Sequence, residues 1–180
     1  MNGTPPAPHG LLVLGGARSG KSRYAQARME AMGGKLAFIA TAQAHDAEME
    51  ERIARHRADR DDRWMTIEAP FDLAGAVAQA AQQADAVLVD CLTLWLSNLL
   101  LAGQDVESAG AALEDAVIAS PKPVVMVANE VGLGIVPDNA LARRFRDEAG
   151  WLNQKLTRIS GEVVLVTAGL PLVLKPPRHC

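Results

Sequence analysis

Leu11-Leu12-Val13-Leu14 runs directly into Gly15-Gly16-Ala17-Arg18-Ser19-Gly20-Lys21-Ser22, and this stretch decides the fold. The second string matches G-x-x-x-x-G-K-[ST] at every fixed position. The apolar run before it suits a buried strand. Ser22 to Met32 after it is rich in helix formers (Tyr24-Ala25-Gln26-Ala27-Arg28-Met29-Glu30-Ala31). A strand, a glycine loop and a helix in that order aim several backbone N–H groups and a helix N-terminus at one point, which attracts a polyphosphate. Lys21 is placed to reach the β- and γ-phosphates, and the Ser22 hydroxyl to hold Mg²⁺. The motif indicates a nucleoside triphosphate with magnesium, without saying what is done with them.

Working outward, apolar runs alternate with helical patterns. Strands are expected at Leu36–Ala40, Trp64–Glu68, Ala86–Asp90, Val124–Ala128 and Val163–Thr167, the last closing the pattern. Helices are expected at Asp46–Arg60, Leu73–Ala84, Leu92–Leu101, Val106–Ser120 and Asn139–Ile159, with Gly150 near the middle of the last. The strands are mostly β-branched and apolar throughout instead of alternating, as strands buried on both faces are. The fold class that follows is α/β: a single-domain P-loop fold, a mainly parallel sheet with helices on both faces. Residues 1–10, with Pro5, Pro6 and Pro8, read as a flexible tail. Residues 11–170 read as the nucleotide-binding catalytic domain. Residues 171–180, with Pro171, Pro176 and Pro177, read as an irregular C-terminal tail.

Composition narrows the setting. A chain of 180 residues is enough for one such domain, and 49% hydrophobic residues can fill its core. A net charge of −3 with interspersed signs offers no basic face for nucleic acid. Two cysteines, Cys91 and Cys180, build neither a disulfide scaffold nor a cysteine metal site, as expected of a reducing compartment. No apolar stretch has membrane-spanning length, and the N-terminal stretch lacks a signal-peptide core, so the expected setting is cytoplasmic.

In an open parallel sheet, ligands bind beyond the carboxyl ends of the strands. Gly15, Thr41, Asp90, Asn129 and Ala168 stand there. Asp90 follows four apolar residues, where phosphate-loop enzymes keep the acid that binds or orients Mg²⁺. The alternative is an aspartate capping the helix that starts near Leu92. In the segment Asp46 to Arg63, Arg52 and His56 share a helix face, and Arg52, Arg55, Arg57, Arg60 and Arg63 can neutralise phosphates. A neutral histidine among them is a nucleophile at physiological pH, although the residues alone favour a solvated charged helix with an incidental histidine. Asn129-Glu130-Val131-Gly132-Leu133-Gly134-Ile135-Val136-Pro137 is either a ligand-approaching loop or a tight crossover on the sheet rim.

These strings, taken with Ile39-Ala40-Thr41-Ala42-Gln43, Glu48-Met49, Arg52-Ile53, His56-Arg57, Trp64, Val89 through Asn98, Phe145-Arg146-Asp147 and Gly150 through Gln154, resemble one family. It is the bifunctional adenosylcobinamide kinase / adenosylcobinamide-phosphate guanylyltransferase family of cobalamin biosynthesis, and the likeness runs in order from about Leu11 to Ala168. The resemblance implies a RecA-like sheet, a homotrimer and two reactions. A nucleoside triphosphate, ATP or GTP, phosphorylates the aminopropanol hydroxyl of adenosylcobinamide. GMP then moves from GTP onto adenosylcobinamide phosphate through a guanylylated histidine, and pyrophosphate leaves.

Carried over by residue, the resemblance implies nucleotide contacts at Gly15, Gly16, Ala17, Arg18, Ser19, Gly20, Lys21 and Ser22, and at Thr41, Ala42 and Gln43. It implies the covalent histidine at His56, further contacts at Arg57, Ala58, Asp59 and Arg60, and acidic nucleotide-site positions at Glu68 and Asp90. Lys21 joins His56 as catalytic, and Ser22 and Asp90 are the expected Mg²⁺ positions. The loop Thr41 to Asp46 is expected to act as a hinge that brings the histidine helix to the triphosphate. Two other readings compete: a P-loop kinase of another small alcohol, with His56 structural, and a non-catalytic RecA-like nucleotide-binding subunit.

Overall fold

The computed structural model describes residues 10–43 and 61–177. Seven strands form one sheet in the order β3-β2-β4-β5-β1-β6-β7. They are β1 (Gly10–Gly15), β2 (Leu36–Ala40), β3 (Trp64–Glu68), β4 (Ala86–Asp90), β5 (Val124–Asn129), β6 (Glu162–Thr167) and β7 (Leu170–Lys175). Five helices are described: α1 (Lys21–Glu30), α2 (Leu73–Gln83), α3 (Leu92–Leu101), α4 (Val106–Ala119) and α5 (Ala140–Ile159). All strand pairings are parallel except β6 with β7.

The apolar strand runs are explained by two cores. On one face of the sheet, Val87, Val89, Met126, Leu12 and Leu14 pack with α2, α3, α4 and α5 through Val77, Trp95, Leu113 and Leu156. On the other, Leu88, Phe38, Val125, Val127 and Val13 pack with Ala25 and Met29 of α1. Burial on both faces leaves no position for polar alternation, hence the continuous apolar reading. Side chains at helix entries fix several boundaries. Asp72 accepts from Gly75 N–H at 2.9 Å, Asp105 from Glu107 N–H at 3.0 Å, and Asn139 from Ala142 N–H at 2.8 Å. The helix α5 continues through Gly150, because its buried face (Ala149, Leu152, Leu156) outweighs one glycine.

The C-terminal segment departs from its expected irregularity. Residues 170–175 form β7, an antiparallel edge strand. Ala168 (φ 52°) and Gly169 (φ 80°) make the two-residue turn with both φ positive that joins closely paired strands. Pro171 is tolerated because an edge strand has one side without a partner. Lys175 pins the strand's end by donating to the carbonyls of Ser160 (2.5 Å) and Thr157 (2.9 Å) at the C-terminus of α5.

The topology places the site. From β1 the chain passes through α1 across two strands to β2, whereas α5 carries it from β5 over β1 to β6 on the opposite face. The carboxyl end of β1 is therefore the switch point at which the two crossovers diverge and leave a crevice.

Candidate active site

The glycine loop, residues 16–20, fills this crevice. Gly15 needs to be glycine for packing: a Cβ there would lie 2.5 Å from Ser19 Oγ and 2.6 Å from the Val166 carbonyl oxygen. Gly20 adopts φ 96°, and Arg18, a non-glycine residue, adopts φ 54°. Positive φ at Arg18 is costly for a residue with a Cβ, and such outliers cluster where a ligand is gripped. The loop is braced from two sides. Ser19 accepts from Gly169 N–H at 2.8 Å, and Gly15 from Glu130 N–H at 3.1 Å.

Gly20 is the N-cap of helix α1, which therefore has no side-chain cap. Its first amides thus face the crevice unmet by a capping side chain, as an anion site requires. The first turn carries no acid and begins with Lys21. A cation there opposes the helix dipole, and a bound anion is what offsets it. Lys21 bends over the loop, Nζ donating to the Gly16 carbonyl at 3.2 Å.

Asp90 ends β4, two strands from β1, so about 10 Å across at ~4.8 Å per strand. Strand alternation puts it on the α1 face with Ala86 and Leu88, the face the loop occupies. Helix α3 begins after Cys91, whose backbone is extended and whose side chain makes no cap bond. The neighbouring Cys91 thiol is pushed up to about 11, first by burial and then by the Asp90 charge, while the nearby Lys21 cation pulls it slightly back.

Thr41, Ala42 and Gln43 follow β2, beside β4. The Thr41 side chain is fully buried and braces the next strand end. Its hydroxyl donates to the Cys91 carbonyl at 2.7 Å and accepts from Cys91 N–H at 2.9 Å. Asn98 of α3 donates to the Thr41 carbonyl at 2.8 Å and the Pro70 carbonyl at 3.1 Å. The Thr93 hydroxyl accepts from Asn129 N–H at 2.7 Å. Sequence reading missed this polar scaffold, although Thr93 and Asn98 stand out within the apolar α3 string Leu92-Thr93-Leu94-Trp95-Leu96-Ser97-Asn98-Leu99. Glu68 is exposed at the end of β3, in register with Ala40, which is in turn in register with Asp90. The loop after β5 starts against the sheet, where Val131 packs on the core, and then opens, with Leu133, Ile135 and Val136 at 85%, 97% and 61% exposure.

His56, Arg57, Ala58, Asp59 and Arg60 lie outside the described residues, as does the Ala44 to Asp46 part of the expected hinge. Gly15 to Ser22, Thr41 to Gln43, Glu68 and Asp90 all gather at the carboxyl edge. Among the described residues no cluster of three or more His, Cys, Asp or Glu could hold a metal, and no helix is long and apolar enough to cross a membrane.

A parallel sheet with a glycine loop at its switch point and an acid two strands away defines a P-loop α/β protein. The comparisons with known proteins go further. Residues 11–174 match the model of the family described as cobinamide kinase / cobinamide phosphate guanyltransferase, and the chain belongs to that family. It is 47% identical over 166 residues, 91% of this chain and 96% of the relative, to a protein named bifunctional adenosylcobalamin biosynthesis protein CobP from Pseudomonas aeruginosa. It is 41% identical over 180 aligned positions, 92% of this chain and 99% of the relative, to bifunctional adenosylcobalamin biosynthesis protein CobU from Salmonella typhimurium. The Escherichia coli protein of the same name is 40% identical over the same span.

Proposed function

We propose that this chain phosphorylates the aminopropanol hydroxyl of adenosylcobinamide with a nucleoside triphosphate, ATP or GTP. It then transfers GMP from GTP to adenosylcobinamide phosphate through His56. The observation that carries the reading is the coincidence of family membership over residues 11–174 with an uncapped helix N-terminus, a strained loop and Lys21 at one switch point.

In the kinase step the loop amides from Gly16 to Ser22 hold the phosphates in place, and Lys21 stabilises charge developing on the γ-phosphoryl group. Mg²⁺ fits the donor set. The Ser22 hydroxyl and the Asp90 carboxylate are hard oxygen donors that would hold it, since a magnesium ion takes one or two protein oxygens plus phosphates instead of a full protein cage. When bound, it would neutralise charge on the bridging phosphates. In the second step the His56 imidazole attacks the α-phosphorus of GTP, the P–O bond to pyrophosphate breaks, and a phosphoramidate forms. The phosphate of adenosylcobinamide phosphate then attacks that phosphorus and frees the histidine. Arg57 and Arg60, with Ala58 and Asp59 between them, follow His56 in sequence as nucleotide contacts; Thr41, Ala42, Gln43 and Glu68 complete the set. A homotrimer, which the family likeness suggests, would cover exposed apolar side chains such as Leu172, Val173 and Leu174 of β7 and those of loop 133–136. The setting is cytoplasmic.

Purified protein with Mg²⁺, ATP or GTP, and adenosylcobinamide should yield adenosylcobinamide phosphate and then adenosylcobinamide-GDP. Turnover of other small alcohols in preference to the corrinoid would overturn the reading.

A further inference from the structure

Asn129 ends β5, the strand that lies between the loop strand β1 and the Asp90 strand β4. Its Cα is in register with Gly15, and alternation puts its side chain on the α1 face with Val125 and Val127. Its backbone is already secured: N–H donates to Thr93 Oγ1 at 2.7 Å, and the carbonyl accepts from Asn153 Nδ2 at 3.5 Å. Its carboxamide does none of this work. Oδ1 is buried and has no hydrogen-bond partner. Ser19 Oγ, which lies over the same Gly15, is also buried and unpartnered. Buried polar atoms are nearly always paired, so two orphans flanking one glycine at a phosphate loop need a reason. The fold supplies none.

We propose that the Asn129 carboxamide is a catalytic group of the phosphoryl-transfer step. It spans the γ-phosphoryl group and the incoming hydroxyl, and the proposal rests on the kinase reading above. A carboxamide is a neutral side chain that both donates and accepts. Its NH₂ donates to a γ-phosphoryl oxygen, and its carbonyl accepts from the attacking hydroxyl and holds it in line. The residue is partly buried, and a turn of the carboxamide about its last bond exchanges its oxygen and its NH₂, which puts the donor at the buried position beside the loop. The hydroxyl oxygen bonds to the γ-phosphorus, and the bond from phosphorus to the bridging oxygen of the diphosphate breaks. Asparagine takes no proton; the hydroxyl proton is released to solvent as the product phosphate ionises. The position midway between Lys21 and Asp90 suits this role, since one side grips the phosphate tail and the other carries the acid.

The test uses the full chain and the variants Asn129→Asp, Asn129→Ala and Asn129→Ser. Asn129→Asp keeps the shape but loses the donor and repels phosphate. The rate of γ-phosphoryl transfer is expected to fall by about 10²- to 10³-fold in the Asp and Ala variants, with partial recovery in Asn129→Ser. Calorimetric titration supplies a readout that a merely structural role would not move. Nucleoside diphosphate should bind within about threefold of wild type, while a non-hydrolysable triphosphate binds Asn129→Asp about tenfold more weakly. Equal loss of diphosphate and triphosphate affinity, or a transfer rate within about threefold of wild type in Asn129→Ala, overturns the proposal. If wild type transfers phosphoryl to water or to another alcohol but not to adenosylcobinamide, the substrate reading fails. The variant comparison on that acceptor, and the ratio of the two affinities, still decide the role of Asn129.

Discussion

Replacing Gly15 by alanine tests whether the loop's shape is dictated by packing beneath it. The added Cβ would sit 2.5 Å from Ser19 Oγ and 2.6 Å from the Val166 carbonyl. Carbon and oxygen in van der Waals contact need about 3.2 Å or more, so each contact is short by roughly 0.6 Å. The Ser19 hydroxyl can rotate away. Val166 cannot yield so easily, because its strand is paired with β1 on one side and β7 on the other. The chain at Gly15 must therefore lift by about half an ångström, at a cost of about 2 kcal/mol for overpacking. At ~2–4 °C per kcal/mol in a domain of this size, Tm should fall by about 4–8 °C. The same lift moves the amides of residues 16–20 off the phosphates, and displacements of that order weaken oriented contacts by about 10- to 100-fold. Thermal melts and nucleotide titration read both effects. Gly16→Ala is the control: nothing lies within 4 Å of its added Cβ, so its stability should stay within about 0.5 kcal/mol of wild type. A Gly15→Ala protein with unchanged Tm and nucleotide affinity within about threefold of wild type would refute the reasoning.

Three other outcomes follow from named contacts. Lys21→Ala should lower the phosphorylation rate by about a hundredfold or more, measured as phosphate transfer to adenosylcobinamide; near-normal transfer contradicts its role. Thr41→Val strands the Cys91 N–H and carbonyl without their shared hydroxyl, and should cost about 3 kcal/mol by denaturant unfolding. Arg28 grips Glu162 through two bonds of 2.8 and 2.6 Å and so ties α1 to β6, holding the Glu162 carboxyl below its ordinary 4.5. A depressed carboxylate contributes above the unfolded value and loses that contribution as pH falls through the folded one. Glu162→Gln should therefore lower Tm by about 2–4 °C at pH 7, corresponding to about 1 kcal/mol, with the gap closing as pH falls below the ordinary 4.5 and through the lowered folded value. A gap that widens in acid contradicts the assignment.

The sequence shows its central strands because a strand buried on both faces has no polar positions to confuse the pattern. Val87-Leu88-Val89 and Val124 to Ala128 are read at once for that reason. The loop is equally legible, since its glycines and Lys21 are local requirements. Strand β7 was hidden: its side chains are exposed and Pro171 argues against a strand, while the turn at Ala168-Gly169 and the Lys175 anchor hold it through distant partners. The braces under the strand ends were hidden likewise. Thr41 meets Cys91 across 50 residues and Asn98 meets Thr41 across 57, separations that no local pattern encodes. Asp90 was legible as a strand-end acid, but which face it takes follows from strand parity and the placement of α1.

The covalent step is the central claim, and α-labelled GTP tests it most directly. The protein should acquire an acid-labile, base-stable label that disappears into adenosylcobinamide-GDP when adenosylcobinamide phosphate is added, and His56→Ala should take up none. A variant that still becomes labelled, or a wild-type protein that makes adenosylcobinamide-GDP without ever carrying the label, contradicts the account.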